Sequence, residues 1–265
     1  MSNLDALLNI QQGNRGNNFG REPKVLTIDI ETAPNIVKAW GLWQQNIAVS
    51  QIVEPGRVIC FAAKWHDKKK VEFYGENNVG HEEMIKQAWR LLDEADIVVG
   101  YNSPGFDIKH LNAEFIKAGM TPPSPFKNVD LLRTARSQFK FPSNKLDYVG
   151  QILGLGKKVV HTGQHLWNEV EAGNLQAWKT MEKYNIQDVR LTEALFDYLG
   201  PWIKGLPHRS LWTGAYGCYA CGSANLTQSG WHQTSSNIYV KLQCEDCGAW
   251  NRGTTGKNKT ETRAI

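Results

Sequence analysis

The stretch KVLTIDIETAP, residues 24–34, constrains this chain more than any other. Apolar and polar residues alternate through it, and alternate residues of a β-strand share a face. Leu26, Ile28 and Ile30 point one way, while Thr27, Asp29 and Glu31 point the other. Two carboxylates so close repel, and burying either one unpaired is costly. The acidic face must therefore meet water or lie beneath something positive.

The residues that follow supply strands and helices to pack around it. RVICFAAKW (57–65) and VEFYG (71–75) are β-rich and joined by the charged turn HDKKK, which predicts a hairpin. Met84, Ile85, Trp89 and Leu92 recur at helical spacing in HEEMIKQAWRLLDEA. DIVVGYN (96–102) reads as a short apolar strand, and FDIKHLNAEFIKAG as a helix ending at Gly119. NVDLLRTAR suits a short strand or helix, NKLDYVGQILGLG a helix, and Leu175 to Leu199 a helix closed by Gly200-Pro201. Strands first and interleaved helices afterwards argue an α/β sheet with helices on both faces. Upstream, residues 4–11 suit a short helix, and GNRGNNFGREP reads as a linker.

After about Lys204 the composition shifts to Gly, Cys, Ser and aromatic residues with no helical period. Cys218-Tyr219-Ala220-Cys221 and Cys244-Glu245-Asp246-Cys247 form two C-x₂-C knuckles separated by 22 residues (222–243). Each pair closes a tight loop, and four thiolates suit one tetrahedral Zn²⁺ with no open position, a structural site. This predicts a zinc ribbon with NIYVKLQ as one strand. Residues 205–265 hold six Lys and Arg against three Asp and Glu. The aromatic residues Trp212, Tyr216, Tyr219, Trp231 and Trp250 could stack bases or form a small core.

Two further segments supply acids. Asn102 ends one strand and Asp107 opens the next helix; Tyr184 and Asp188, at i and i+4, share a helical face. Taken singly, each has an ordinary reading: a wet strand face, an acid at a helix N-terminus, a turn asparagine, a packed tyrosine beside a surface acid. Together, Asp29, Glu31, Asp107 and Asp188 are oxygen donors suited to Mg²⁺ or Mn²⁺. Two such ions ~4 Å apart can clamp both oxygens of a phosphodiester displacement.

The segments DIE, NSPGFD and YNIQD resemble, in order and spacing, the three motifs of the DEDD superfamily of 3′→5′ exonucleases. The likeness spans about residues 24–200 and resembles most the proofreading exonuclease of family B DNA polymerases and its free-standing relatives. Lys183 stands where the histidine subclass needs its histidine, whereas Tyr184 fits the tyrosine subclass. The resemblance implies a ribonuclease H-like fold, a five-stranded mixed sheet flanked by helices. It implies that Asp29 bridges two metals, Glu31 and Asp188 complete one site, Asp107 holds the second ion, and the Tyr184 hydroxyl orients the attacking water. Thr32, Asn102 and Phe106 would seat the terminal nucleotide. Lys145, Lys157 and Lys158 are reasonable phosphate contacts. His161 and His165 flank a glycine, so a loop is expected there rather than a metal-binding helix.

The resulting expectation is an N-terminal segment and linker (1–23), an exonuclease domain (24–204), a zinc ribbon (205–253) and a disordered tail (254–265). Two Mg²⁺ or Mn²⁺ ions and one Zn²⁺ are expected. The expected substrate is single-stranded nucleic acid, DNA ahead of RNA; the alternatives are an exoribonuclease and a non-catalytic nucleic-acid or protein-binding adaptor. Too little chain follows for a polymerase palm, so any proofreading is expected in trans, beside a polymerase or another replication or repair protein. A formal net charge of +4 permits an anionic partner without identifying one. No run suits a membrane span, and the start lacks the charged and apolar regions of a secretory signal. Cytoplasmic location in a prokaryotic or virus-encoded setting is the expectation.

Overall fold

A computed structural model describes residues 20–262. The helix expected at residues 4–11 lies outside them. The described residues fall into two compact units, Lys24–Lys204 and the residues on either side of it.

The larger unit is built on a five-stranded mixed sheet. Its strands are β1 (Val25–Thr32), β2 (Val58–Trp65), β3 (Glu72–Gly75), β4 (Ile97–Gly100) and β5 (Lys127–Asp130), in spatial order β3-β2-β1-β4-β5. β1, β2 and β3 pair antiparallel, so turns suffice to join β2 to β3. β4 and β5 run parallel to β1 and need crossovers, supplied by helices α1 (His81–Glu94) and α2 (Asp107–Lys117). Four more helices follow: α3 (Leu131–Gln138), α4 (Leu146–Ile152), α5 (Gln164–Glu171) and α6 (Leu175–Leu199).

NVDLLRTAR, readable as strand or helix, is both. The division falls at Asp130, whose carboxylate accepts from the Leu132 amide at 3.0 Å and caps α3. VVHTGQHLW, expected as a loop, stays irregular only as far as Gly163; α5 then carries His165 on its exposed side. Gly163 adopts φ 62°, and that sharp break let a loop reading run one residue group too far.

The two faces of β1 have different neighbours. Leu26, Ile28 and Ile30 pack with Phe61 against Met84, Ile85, Leu91 and Leu92 of α1 and Leu111 and Phe115 of α2. On the opposite face Ile59 and Cys60 of β2 meet Leu166 and Val170 of α5 and Ala177, Trp178, Met181 and Tyr184 of α6. Helices thus cover both sides of the sheet, and α6 lies over the acidic side of β1.

The smaller unit contains a three-stranded antiparallel sheet of β6 (Leu226–Gln233), β7 (Asn237–Cys244) and β8 (Trp250–Lys259), with β7 central. β8 corrects the expected tail at 254–265. Gly256, Asn258 and Lys259 pair with Tyr239, Ile238 and Asn237, so ordered chain continues to Lys259. The sequence TTGKNK lacks an apolar period, but a ladder joins backbone groups, and β7 offers a free edge for them. Gly256 suits its place because a Cβ there would overlap the Asn237 side chain.

Phe115 is 2% exposed and the adjoining Ile116 77% exposed. Phe115→Ala is expected to cost ~3–5 kcal/mol of unfolding free energy, and Ile116→Ala less than about 0.5 kcal/mol. Urea denaturation measures both; equal losses would mean that α2 packs by another face.

Candidate active site and metal centres

The parallel ladder of β1 with β4 covers Val25–Thr27 and then stops. Farther along β1, the Ile30 amide donates instead to Asp107 Oδ1 at 3.0 Å. Asp107, the first residue of α2, is 3% exposed. It is thereby fixed against the part of β1 that carries Asp29 and Glu31.

Opposite those acids, β2 presents small side chains: Ala62 is registered with Asp29, and Cys60 with Glu31. α6 fills the space above. Tyr184, Asn185 and Asp188 are all buried, as the i, i+4 spacing of Tyr184 and Asp188 requires. Asp29, Glu31 and Asp188 each bring a carboxylate oxygen within 4.8 Å of the others. Asn185 Nδ2 donates to Asp29 Oδ2 at 2.7 Å and to the Asp29 carbonyl at 3.1 Å, tying α6 to β1. Lys158 Nζ stands 2.6 Å from Asp188 Oδ2 and donates to the Tyr184 hydroxyl at 2.9 Å.

Burial raises every acid of this group, and repulsion from the other acids adds to it at Asp29 and Glu31. Burial, then the charges of Asp107, Glu31 and Asp188, push Asp29 well above the usual carboxylate range, with Lys158 opposing. Glu31 is pushed up to about 8 by burial and Asp188, again against Lys158. Asp107 rises to about 7, chiefly through burial, despite the hydrogen bond from Ile30. Asp188 is raised by burial although Lys158 and Tyr184 pull it down. Burial works against the Lys158 charge, yet Asp188 and Tyr184 hold its pKa above the ordinary lysine value. Burial followed by Glu31 and Asp188 raises Tyr184, keeping its hydroxyl protonated.

One ammonium does not balance these acids. Asp188 Oδ1 is also buried without a hydrogen-bond partner among the described residues. An unpartnered buried oxygen, clustered with others and short of positive charge, fits a hard divalent cation. The donor set and spacing of Asp29, Glu31 and Asp188 could hold a metal ion. Asp107 stands outside the close triad and reaches the group through β1.

The four expected cysteines also converge. Cys218, Cys221, Cys244 and Cys247 form one cluster, with Cys218 Sγ 3.7 Å from Cys247 Sγ and Cys221 Sγ 3.6 Å from Cys244 Sγ. Sulfurs ~2.3 Å from a tetrahedral centre lie about 3.8 Å apart, so the cluster fits Zn²⁺. Burial disfavours the Cys218 thiolate, but backbone donors at Cys221 and Ala220, the Asn251 amide and the Cys247 thiol bring it down to about 7. Cys60 belongs to the sheet core and not to this cluster.

The remaining expected residues fall at the carboxyl ends of the parallel strands. Thr32 ends β1, and its carbonyl accepts from Trp167 Nε1 at 3.1 Å. Asn102, just beyond β4, adopts φ 68°, and its amide donates to Asp130 Oδ1 at 2.9 Å. A Cβ at Gly105 would come within 2.9 Å of Asn102 Oδ1, so a side chain there would displace that of Asn102. Phe106 precedes α2 and is 38% exposed, its ring 4.3 Å from that of His110. Of the three lysines considered for phosphate, Lys158 enters the acidic site, while Lys145 and Lys157 are exposed. The His161 ring packs edge-on at 4.8 Å from Tyr184 and 5.3 Å from Trp167.

Sequence reasoning missed Asn185, Asp130 and Trp167. Asn185 stood in plain view inside YNIQD, three residues before Asp188 and thus on its helical face. Asp130 had the position of an N-cap, but the second contact to Asn102 depends on the parallel β4–β5 register. Trp167 carried no signal beyond helical spacing.

The raised acids predict how metal-free protein responds to pH. A group such as Glu31, moved from 4.5 to about 8, binds its proton more tightly folded than unfolded. Its stabilising contribution is complete below about pH 4.5 and is lost as pH rises through about 8. Protein dialysed free of Mg²⁺ and Mn²⁺, with its zinc retained, should lose melting temperature over that interval, and added Mg²⁺ or Mn²⁺ should restore more of it at the alkaline end. A gain from the ion that does not grow with pH would mean that the acids are already ionised. For the cysteines, elemental analysis should find about one Zn²⁺ per chain. Cys244→Ser should lower that content and loosen the smaller unit to proteolysis; full zinc in the variant would refute the four-cysteine site.

Comparison with known proteins bears on this geometry. A family model described as the RNase_H superfamily matches residues 52–200. That span holds Asn102, Phe106, Asp107, Tyr184 and Asp188 but begins after β1, leaving Asp29 and Glu31 outside it. Among solved structures, the chain is similar to the family B DNA polymerase from the hyperthermophilic archaeon Pyrobaculum calidifontis, with a TM-score of 0.54 and 20% sequence identity. The similarity covers 82% of this chain and 32% of the polymerase chain, and at that identity it is a likeness of fold. No curated protein matches. Among the described residues, no helix is long and apolar enough to cross a membrane. With its mixed five-stranded sheet and a match over more than half its length, the chain belongs to the ribonuclease H superfamily.

Proposed function

We propose that this chain is a metal-dependent 3′→5′ exonuclease. It would hydrolyse phosphodiester bonds at single-stranded DNA 3′ ends and release nucleoside 5′-monophosphates. The observation that carries this reading is the convergence of Asp29, Glu31 and Asp188 within 4.8 Å beside the Tyr184 and Lys158 pair. A non-catalytic adaptor has no use for acids held so close at such electrostatic cost.

Asp29, Glu31 and Asp188, with Asp107 behind Ile30, would hold two Mg²⁺ or Mn²⁺ ions. Such ions supply Lewis-acid charge to the phosphodiester and lower the pKa of the attacking water. The Tyr184 hydroxyl accepts from Lys158 and would donate its own proton to the attacking water. That contact would orient the water. Its oxygen bonds to phosphorus as the P–O3′ bond breaks; the departing 3′ oxygen takes a proton, and the nucleoside 5′-monophosphate leaves. Asn102 and Phe106, with backbone near Thr32, would receive the terminal nucleotide. Phe106 offers a half-exposed ring for its base, and Asp130 holds the Asn102 backbone in place. A polymerase or repair protein acting alongside is part of the same proposal.

End-labelled single-stranded DNA and RNA, each with Mg²⁺ or Mn²⁺, test the reading. Stepwise shortening from the 3′ end of DNA is expected, and Asp29→Ala or Asp188→Ala should lower the rate by at least about a thousandfold. Tyr184→Phe should reduce turnover by about 10²–10³-fold while leaving substrate affinity nearly unchanged. No cleavage of either polymer, or equal cleavage by the Asp29→Ala protein, would overturn the assignment. Cleavage of RNA alone would replace DNA as the substrate.

A further inference from the structure

The β7 register sorts the residues of the smaller sheet onto two faces. Tyr239, Lys241 and Gln243 share one face. Arg252 of β8 stands opposite Lys241, and Trp250 opposite Gln243, so both join that face. His232 of β6 joins it opposite Tyr239. Two cation–ring pairs cross from β7 to β8. Lys241 Nζ lies 4.8 Å from the Trp250 ring centre, and the Arg252 guanidinium 4.4 Å from that of Tyr239.

These rings are not the core of their unit. The buried cluster there is Cys218, Cys244 and Ala249, with Tyr219, Cys221, Leu226 and Cys247 against it. Trp250 is 49% exposed, and Arg252 is exposed. None of the three strands carries an acidic residue; Glu245 and Asp246 sit in the turn between β7 and β8, and Glu261 follows β8. Tyr239 and Lys241 are half-buried beside Trp250 and Arg252. A solvent-accessible face of rings and cations, on strands that carry no carboxylate, is complementary to a polyanion that also offers flat apolar groups.

We infer that the face formed by Tyr239, Lys241, Trp250 and Arg252 binds single-stranded nucleic acid, with bases against the two rings and phosphates against the two cations. A base takes the face of Trp250, and the Lys241 ammonium moves on its flexible stem to the adjoining phosphate. The planar Arg252 guanidinium extends the Tyr239 surface while contacting the backbone. Duplex fits poorly because its bases are already stacked and paired. This site is separate from the acidic cluster and does not depend on the hydrolysis proposed for it.

The test uses the full chain with its zinc, carrying Asp29→Ala so that the probe survives. Fluorescence anisotropy reads the Kd for labelled oligothymidylate, oligouridylate and a blunt DNA duplex. Single strands of either sugar should bind more tightly than duplex. Trp250→Ala should raise the single-strand Kd about five- to a hundredfold. Arg252→Glu, at an exposed position, should raise it as well. Lys257→Glu is the control, since Lys257 lies 4.5 Å over Trp231, which stands opposite Val240 on the other face. It makes the same change of charge and should leave Kd nearly unaltered. Zinc content equal to the parent's certifies each variant as folded, and should Trp250→Ala lose zinc, Arg252→Glu decides. The inference is overturned if zinc-loaded Trp250→Ala and Arg252→Glu bind as the parent does. It is equally overturned if Lys257→Glu weakens binding as much as Arg252→Glu, or if duplex binds as tightly with the same dependence on Trp250.

Discussion

Repulsion among the half-buried acids on β1 is the constraint around which the larger unit is arranged. Asp29 and Glu31 sit on a central strand, paired there with β2 on one side and just beyond the end of the β4 ladder on the other. Helices lie over both faces of the sheet. A core strand ordinarily carries β-branched and aromatic residues, so two carboxylates there oppose folding. Local hydrogen bonds offset part of the cost: Asn185 donates to Asp29, and Lys158 pairs with Asp188. The residue of the cost stays in the raised proton affinities of Asp29, Glu31, Asp107 and Asp188. Hard cations are the partners that such a group lacks.

Topology decides where that unbalanced charge accumulates. β1, β4 and β5 are parallel, so their carboxyl ends lie along one edge of the sheet. Thr32, Asn102 and Asp130 all fall at those ends. Open α/β sheets bind ligands in the crevice outside the carboxyl ends of such strands. Because β1 loses its β4 partner after Thr27, the Ile30 amide is left for a side chain, and Asp107 takes it. The interruption of the ladder is thus what anchors the fourth carboxylate.

Much of this was legible in the residues. Alternation in TIDIET assigned the two faces of β1 correctly, because a period of two survives whatever packs on either side. Tyr184 and Asp188 were paired by helical geometry alone. Lys158 could be suspected but not placed, since its loop has no period and its position depends on Asp188 from a distant helix. Asn185 was overlooked because its partner, Asp29, is on a strand far away in the sequence. The end of β8 was misjudged for a related reason. Backbone pairing held TTGKNK, and side-chain patterning is blind to a ladder that does not need it.

The two clusters of metal-suited residues differ in how much the metal is needed for the fold itself. The acidic site lies beside an apolar core that includes Leu26, Ile28, Phe61, Leu92 and Leu111, all buried, so the sheet stands without help from ions. Among its described residues the smaller unit shows no comparable core: the buried hydrophobic ones are Cys218, Cys244 and Ala249. Burying so little apolar surface cannot offset the entropy of ordering three strands. Four cysteines close enough to hold one ion could supply what is missing, as in small metal-stapled domains. Exposed rings on that sheet are then free of any duty in the core. The smaller unit can thus hold the half-buried Tyr239 and the exposed Trp250 beside Lys241 and Arg252.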